Sequence, residues 1–117
     1  MARILVAEDD ELTRYLLELT LQQQGHEVHT ANNGREAIQS VIVNMPDVIV
    51  LDLMMPGLNG MDVIRTIRNE PDYSKIHIIV ITGTATPETY PETAQADRIL
   101  QKPIPIDMLI QEIEHFL

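Results

Sequence analysis

Val48, Ile49, Val50 and Leu51 form an unbroken aliphatic run that ends on Asp52. A strand with this pattern has no polar face, so it must be covered on both sides, which points to a sheet between helices. β-Branching at three of the four positions suits extended backbone. Pro56, Gly57, Asn59 and Gly60 then demand a loop. The Asp52 carboxylate is left at the carboxyl edge of the sheet, where open α/β folds hold their ligands. An acid in that place also serves as a plain strand or turn cap, so its meaning depends on what the other strands bring to the same edge.

A chain of 117 residues suffices for one compact domain, 1–117, and not for two. No apolar run nears the ~20 residues that cross a bilayer. Ile4-Leu5-Val6 follows the start directly, so no signal peptide is expected. The chain reaches Leu117 soon after the last expected helix, and no output domain is expected. The absence of cysteine excludes a disulfide framework and a thiolate metal site, and suits a cytoplasmic location. A formal charge of −10, from 8 basic and 18 acidic residues, opposes direct binding to nucleic acid or to an acidic membrane. A protein or a cation is the expected partner, and the chain is expected to be a monomer or weak dimer.

Taken in order, Arg3–Ala7 reads as a buried strand closed by Glu8, Asp9 and Asp10. A helix is expected over 11–24, capped by Asp10 or Glu11 and stopped by Gly25, with Leu12, Tyr15, Leu16 and Leu19 turned inward. Glu27–Ala31 alternates as a strand nearer a sheet edge. Asn33-Gly34 opens a second helix with Ala37, Ile38, Val41 and Ile42 inward. After the Asp52 strand, Met61, Ile64 and Ile67 mark a third helix ending near Pro71. Residues 76–81 form a fourth buried strand. The stretch 84–96 is the least regular: a helix can begin at Pro87, but Pro91 disturbs any turn continuing past it. Arg98–Gln101 is a short fifth strand, and a last helix over 106–116 turns Ile106, Leu109, Ile110, Ile113 and Phe116 inward.

Strand and helix thus alternate five times, which predicts a five-stranded parallel sheet, doubly wound in the flavodoxin-like manner, with helices on both faces. It also brings Glu8, Asp9, Asp52, Thr82 and Lys102 to one edge, at the ends of separate strands. Three carboxylates there repel one another unless a cation or a proton intervenes. Oxygen-only ligands on a solvent-facing edge suit Mg²⁺, with Mn²⁺ as a substitute. An ammonium and a hydroxyl beside them are groups that stabilise a phosphoryl group in transfer.

The sequence Ile4-Leu5-Val6-Ala7-Glu8-Asp9-Asp10, then Leu51-Asp52-Leu53-Met54-Met55-Pro56-Gly57-Leu58-Asn59-Gly60, then Thr82, then Lys102-Pro103, resembles a response-regulator receiver domain of two-component signalling. The likeness spans essentially the whole chain and is nearest to the single-domain, chemotaxis-regulator type. It implies that Asp52 is the phosphoacceptor, charged by a sensor histidine kinase, a histidine phosphotransfer protein or a small phosphodonor. It further implies Mg²⁺ held by Glu8, Asp9, Asp52 and the backbone carbonyl of Met54, with Thr82 and Lys102 on the phosphoryl oxygens. A downstream protein would read the change. A cis peptide before Pro103 is carried by the resemblance alone.

Two features depart from the family. Ile99 stands three residues before Lys102, where relatives have Tyr or Phe, so an inward-turning aromatic cannot transmit the signal. The Thr82 to Lys102 interval is about two residues short, so the fourth family helix, within 84–96, is expected to be short or irregular. Phosphorylation is then expected to reorder 84–96 instead of turning a ring. Other readings stay open. A pseudo-receiver adaptor would keep the fold without phosphorylation. A haloacid-dehalogenase-type phosphatase needs an acid two residues after its nucleophile, where this chain has Met54. A flavodoxin-like FMN binder needs a Ser/Thr/Gly-rich loop after the first strand, where this chain has three acids. His26, His29, His77 and His115 show no ligand spacing.

Overall fold

The computed structural model describes residues 2–55, 57, 59–83 and 90–117. Among them lie five strands, β1 (Arg3–Ala7), β2 (Glu27–Ala31), β3 (Val48–Asp52), β4 (His77–Thr82) and β5 (Arg98–Gln101). Four α-helices alternate with them: α1 (Glu11–Gln23), α2 (Gly34–Asn44), α3 (Gly60–Asn69) and α4 (Ile106–His115). The sheet is parallel throughout, in the order β2-β1-β3-β4-β5. The expected doubly wound architecture is therefore what forms, and only β4 is displaced, by one residue. Strand order reverses between β1 and β3, and the crevice at that point is where such sheets bind ligands.

Alternation along the strands splits the core into two layers. Leu5, Ile49, Leu51, Ile78 and Val80 pack with Val41, Val63, Ile64 and Ile67 of α2 and α3. Ile4, Val6, Val48, Val50, Ile79 and Ile81 pack with Leu17, Leu21, Leu109 and Ile113 of α1 and α4. Hence β3 is buried at every position, as its unbroken aliphatic run requires. Each such side chain contributes roughly 1.5–3 kcal/mol by leaving water.

Helix α1 overturns one expectation. Leu12, Tyr15, Leu16 and Leu19 face solvent, at 65%, 57%, 48% and 39% exposure, whereas Leu17 and Leu21 face the sheet. The helix carries apolar side chains on both faces, so periodicity alone selected the larger stripe. Its rotation is set at the first turn. The Asp10 side chain caps it by accepting from the Thr13 N–H, and Arg14 donates to the carbonyls of Glu8 and Asp9. Ile42 and Ile106, also expected inward, are 59% and 39% exposed because each lies at the edge of its helix's buried face.

Within 84–96, residues 84–89 lie outside the described residues, and with them the expected helix start at Pro87. The described remainder is a short 3-10 helix, Pro91–Gln95, in keeping with the irregular fourth helix expected. It is anchored to α3, since Arg68 Nε donates to the Gln95 carbonyl at 3.0 Å and Nη2 to Asp97 at 3.2 Å. Asp97 in turn accepts from the Ile78 N–H at 2.7 Å. No helix of the described residues is long and apolar enough to cross a membrane.

Candidate functional site

Strand register assembles the site. Ala7 pairs with Leu51, which sets Glu8 beside Asp52. Asp52 pairs with Ile81, so Thr82 lies one step beyond it, and Thr82 pairs with Gln101, so Lys102 follows immediately. The Lys102 N–H donates to the Thr82 carbonyl at 2.7 Å, fixing the start of the loop that carries the ammonium. The Lys102–Pro103 bond is cis.

Carboxylate oxygens of Glu8, Asp9 and Asp52 all lie within 4.8 Å of one another. Glu8 and Asp52 are buried, and Asp9 is exposed. Asp52 Oδ1 accepts from the Met54 N–H at 3.2 Å, while Oδ2 faces Lys102 Nζ at 3.4 Å. Lys102 comes nearer still to Glu8, 2.7 Å from Oε1. Buried Glu8 therefore has the Lys102 ammonium as its close counter-charge. Glu8 Oε2 accepts from the Asp10 N–H. Asp10 itself is spent on capping α1, and its bonds to Thr13 hold its pKa below the usual carboxylate value.

Crowding acids together has an electrostatic consequence. Burial, and then the neighbouring Glu8 carboxylate, push the Asp52 pKa up to about 7. Burial works against the Lys102 ammonium, but Glu8 and Asp52 outweigh it and hold its pKa above the usual lysine value. Carboxylate oxygens from two strand ends, all within 4.8 Å of one another, fit a hard divalent cation such as Mg²⁺.

Gly60 and Arg14 are residues that sequence reasoning did not single out. A Cβ at position 60 would lie 2.5 Å from the Asp52 carbonyl oxygen and 2.7 Å from Leu53 Cα. Glycine is what lets the first turn of α3 press against the end of β3, where the Gly60 N–H donates to the Leu53 carbonyl. The Asn59–Asp62 capping box fixes that turn. Gly60 was visible in sequence only as a loop former, because nothing local reveals a close approach to a strand. Arg14 holds the carbonyls of the two acids that follow β1.

Comparison with known proteins agrees with this geometry. The response regulator receiver domain family matches residues 4–114. Protein PilH of Pseudomonas aeruginosa is 32% identical over 119 residues, covering 100% of this chain and 98% of PilH. Response regulator MprA of Mycobacterium leprae is 35% identical over 115 residues, 98% of this chain but only 50% of MprA. The structure of response regulator TrrA from Thermotoga maritima, in complex with Mg²⁺ and BeF, superposes with a TM-score of 0.90 at 32% identity over 100% of both chains. With fold, acidic cluster and family match in agreement, this chain belongs to the response regulator receiver domains of two-component systems.

Proposed function

We propose that Asp52 accepts a phosphoryl group in a Mg²⁺-dependent reaction, and that partner proteins read the resulting change. The donor is the phosphohistidine of a sensor kinase or histidine phosphotransfer protein, or a small phosphodonor. The observation that carries this reading is the meeting of three carboxylates within 4.8 Å at the edge where Lys102 faces Asp52. TrrA's binding of Mg²⁺ and BeF on the same fold supports it.

Glu8, Asp9, Asp52 and the Met54 carbonyl would hold the cation, which when bound neutralises charge on the phosphoryl oxygens. The chain's own residues do the rest. The Met54 N–H steadies one Asp52 oxygen, so the carboxylate is oriented before attack. An Asp52 oxygen forms the new bond to phosphorus as the bond to the histidine nitrogen breaks, and the imidazole leaves with that electron pair and takes a proton from solvent. Lys102 and the Thr82 hydroxyl donate to the transferred group, so negative charge is met by fixed donors in a site closed on one side by the sheet. Such chemistry is confined to the domain's own phosphorylation and dephosphorylation, and the acidic surface directs it to protein partners in the cytoplasm and not to nucleic acid.

Intact mass after incubation with Mg²⁺ and a small phosphodonor tests the proposal. One phosphoryl group is expected on the parent and none on Asp52→Asn, and an unmodified parent sinks the reading. Met54, 52% exposed beside the acceptor, should shield the phosphoryl group from water. Met54→Asn should therefore shorten its lifetime several-fold, and an unchanged decay rate would contradict that role. Ile99 in the aromatic's place, 39% exposed on β5, favours one second reading, an adaptor that binds partners without being phosphorylated.

A further inference from the structure

The loop between β1 and α1 carries two of the three clustered carboxylates, and it holds them unevenly. Glu8 is tethered through every polar group. Its N–H donates to the Ala31 carbonyl at 3.0 Å, and its carbonyl accepts from Arg14 at 2.9 Å. Its Oε2 accepts from the Asp10 N–H, and Oε1 meets the Lys102 ammonium. Asp9 is exposed. Among the described residues its one hydrogen bond runs from Arg14 Nη1 to its carbonyl, at 3.4 Å.

A guanidinium next to the run Glu8-Asp9-Asp10, in a chain of net charge −10, would ordinarily pair with a carboxylate. Among the described residues Arg14 forms no ion pair. It places Nη1 on two backbone carbonyls instead, which the two coplanar N–H groups of that nitrogen can bridge. The Arg14 N–H donates to the Asp10 carbonyl at 2.9 Å. The base of the side chain is thus locked into α1 while its tip grips the end of β1.

Two effects of opposite sign meet at this side chain. As a positive charge near the carboxylates, Arg14 repels a divalent cation. As a clamp on the Asp9 backbone, it removes freedom that a cation would otherwise have to freeze out. The guanidinium is only half-buried, so its charge is screened by solvent and salt. Loss of a hydrogen-bonded partner behind a metal ligand typically lowers affinity about 10–100-fold. The clamp outweighs the repulsion.

We propose that Arg14 is a positioning residue for the divalent cation. By holding the Glu8 and Asp9 carbonyls it sets the Asp9 carboxylate toward those of Glu8 and Asp52 before the cation arrives. The proposal rests on the reading of these three acids as a Mg²⁺ site, and it gives Arg14 no contact with the cation or the phosphoryl group.

Mg²⁺ titration of the full chain by calorimetry tests it, on the parent, Arg14→Met and Arg14→Lys. Arg14→Met keeps an unbranched stem without donors or charge, and should bind Mg²⁺ about 10-fold more weakly. Arg14→Lys keeps the charge but not the planar fork, and should fall between Arg14→Met and the parent. With a small phosphodonor, the Mg²⁺ concentration giving half-maximal rate should rise by the same factors. The rate at saturating Mg²⁺ should stay within about twofold of the parent. Without metal, the Asp10 amide, which donates to Glu8 Oε2, should exchange with solvent faster in Arg14→Met.

An arginine that only supports α1 would lower the thermal midpoint of Arg14→Met and leave Mg²⁺ binding unchanged, which would overturn the proposal. Tighter binding by Arg14→Met would overturn it too, because repulsion would then outweigh the clamp, and so would unchanged exchange at Asp10. If Arg14→Met does not fold, Arg14→Lys decides, and affinity equal to the parent's would refute the clamp. A parent that takes up no Mg²⁺ would remove the cation site itself and this proposal with it. A parent that binds while the variants bind equally well would refute the clamp alone.

Discussion

Lys102 lies closer to Glu8 than to Asp52: its ammonium is 2.7 Å from Glu8 Oε1 and 3.4 Å from Asp52 Oδ2. Glu8 is fully buried, so before any cation arrives Lys102 is the main counter-charge for an acid that has left water. The ammonium beside the Asp52 carboxylate therefore also offsets the charge of a buried neighbour.

Lys102→Ala should thus destabilise the protein in the absence of divalent cations. Breaking a buried pair costs about 3–5 kcal/mol, and because the Lys102 side chain is 31% exposed a smaller loss of roughly 2–3 kcal/mol is expected. Added Mg²⁺ should recover part of it by supplying positive charge to the same carboxylates. Urea unfolding with and without Mg²⁺ measures both, and a variant as stable as the parent without metal would contradict this role.

The raised Asp52 pKa, about 7 through burial and the Glu8 carboxylate, makes metal-free stability depend on pH. Between about pH 4 and pH 7 the native state keeps a proton that the unfolded chain has lost. Asp52 therefore contributes stability that is fully present below about pH 4 and lost as pH rises through 7. Asp52→Asn should flatten that decline and raise the thermal midpoint near pH 8 by a few degrees. Mg²⁺, competing with the proton, should stabilise the parent far more at about pH 8 than at pH 5. A metal-induced shift of equal size at both would show that Asp52 titrates normally.

Gly60→Ala is expected to be costly although the new side chain is a single methyl. Its Cβ would meet the backbone of Asp52 and Leu53 at 2.5–2.9 Å, so either α3 or the end of β3 must shift. A loss of about 1–3 kcal/mol, the usual range for overpacking, should accompany weaker Mg²⁺ binding. Calorimetric titration together with thermal unfolding reads the two effects, and unchanged metal affinity would mean that α3 alone yields.

Strand bounds, to within one residue at β4, and the convergence of the candidate residues on one edge were legible because both depend on local pattern. Aliphatic runs end on polar residues, and parallel pairing then carries Glu8, Asp52, Thr82 and Lys102 to one edge. The face of α1 was not legible. Leu12, Tyr15, Leu16 and Leu19 recur as regularly as a buried stripe does, and only the tertiary placement of Asp10 and Arg14 decides the rotation. The close approach at Gly60 was equally hidden, since it depends on a strand eight residues earlier, and the Lys102–Glu8 contact depends on how far a long side chain reaches.

Paired substitutions separate the two faces of α1. Leu17→Ala should cost about 2–4 kcal/mol, as for a buried leucine, because Leu17 is only 4% exposed. Leu16→Ala, at 48% exposure, should cost under about 1 kcal/mol. Equal losses in urea unfolding would reverse the assignment of the faces.

Borohydride trapping offers the most direct measurement on the acceptor. An aspartyl phosphate is reduced to homoserine, which peptide mass mapping locates by residue. After treatment with Mg²⁺ and a phosphodonor, homoserine should be found at position 52, and chelating the metal beforehand should abolish it. Homoserine at position 9 or 10 instead, or none at any carboxylate while the donor is still intact, would contradict the account.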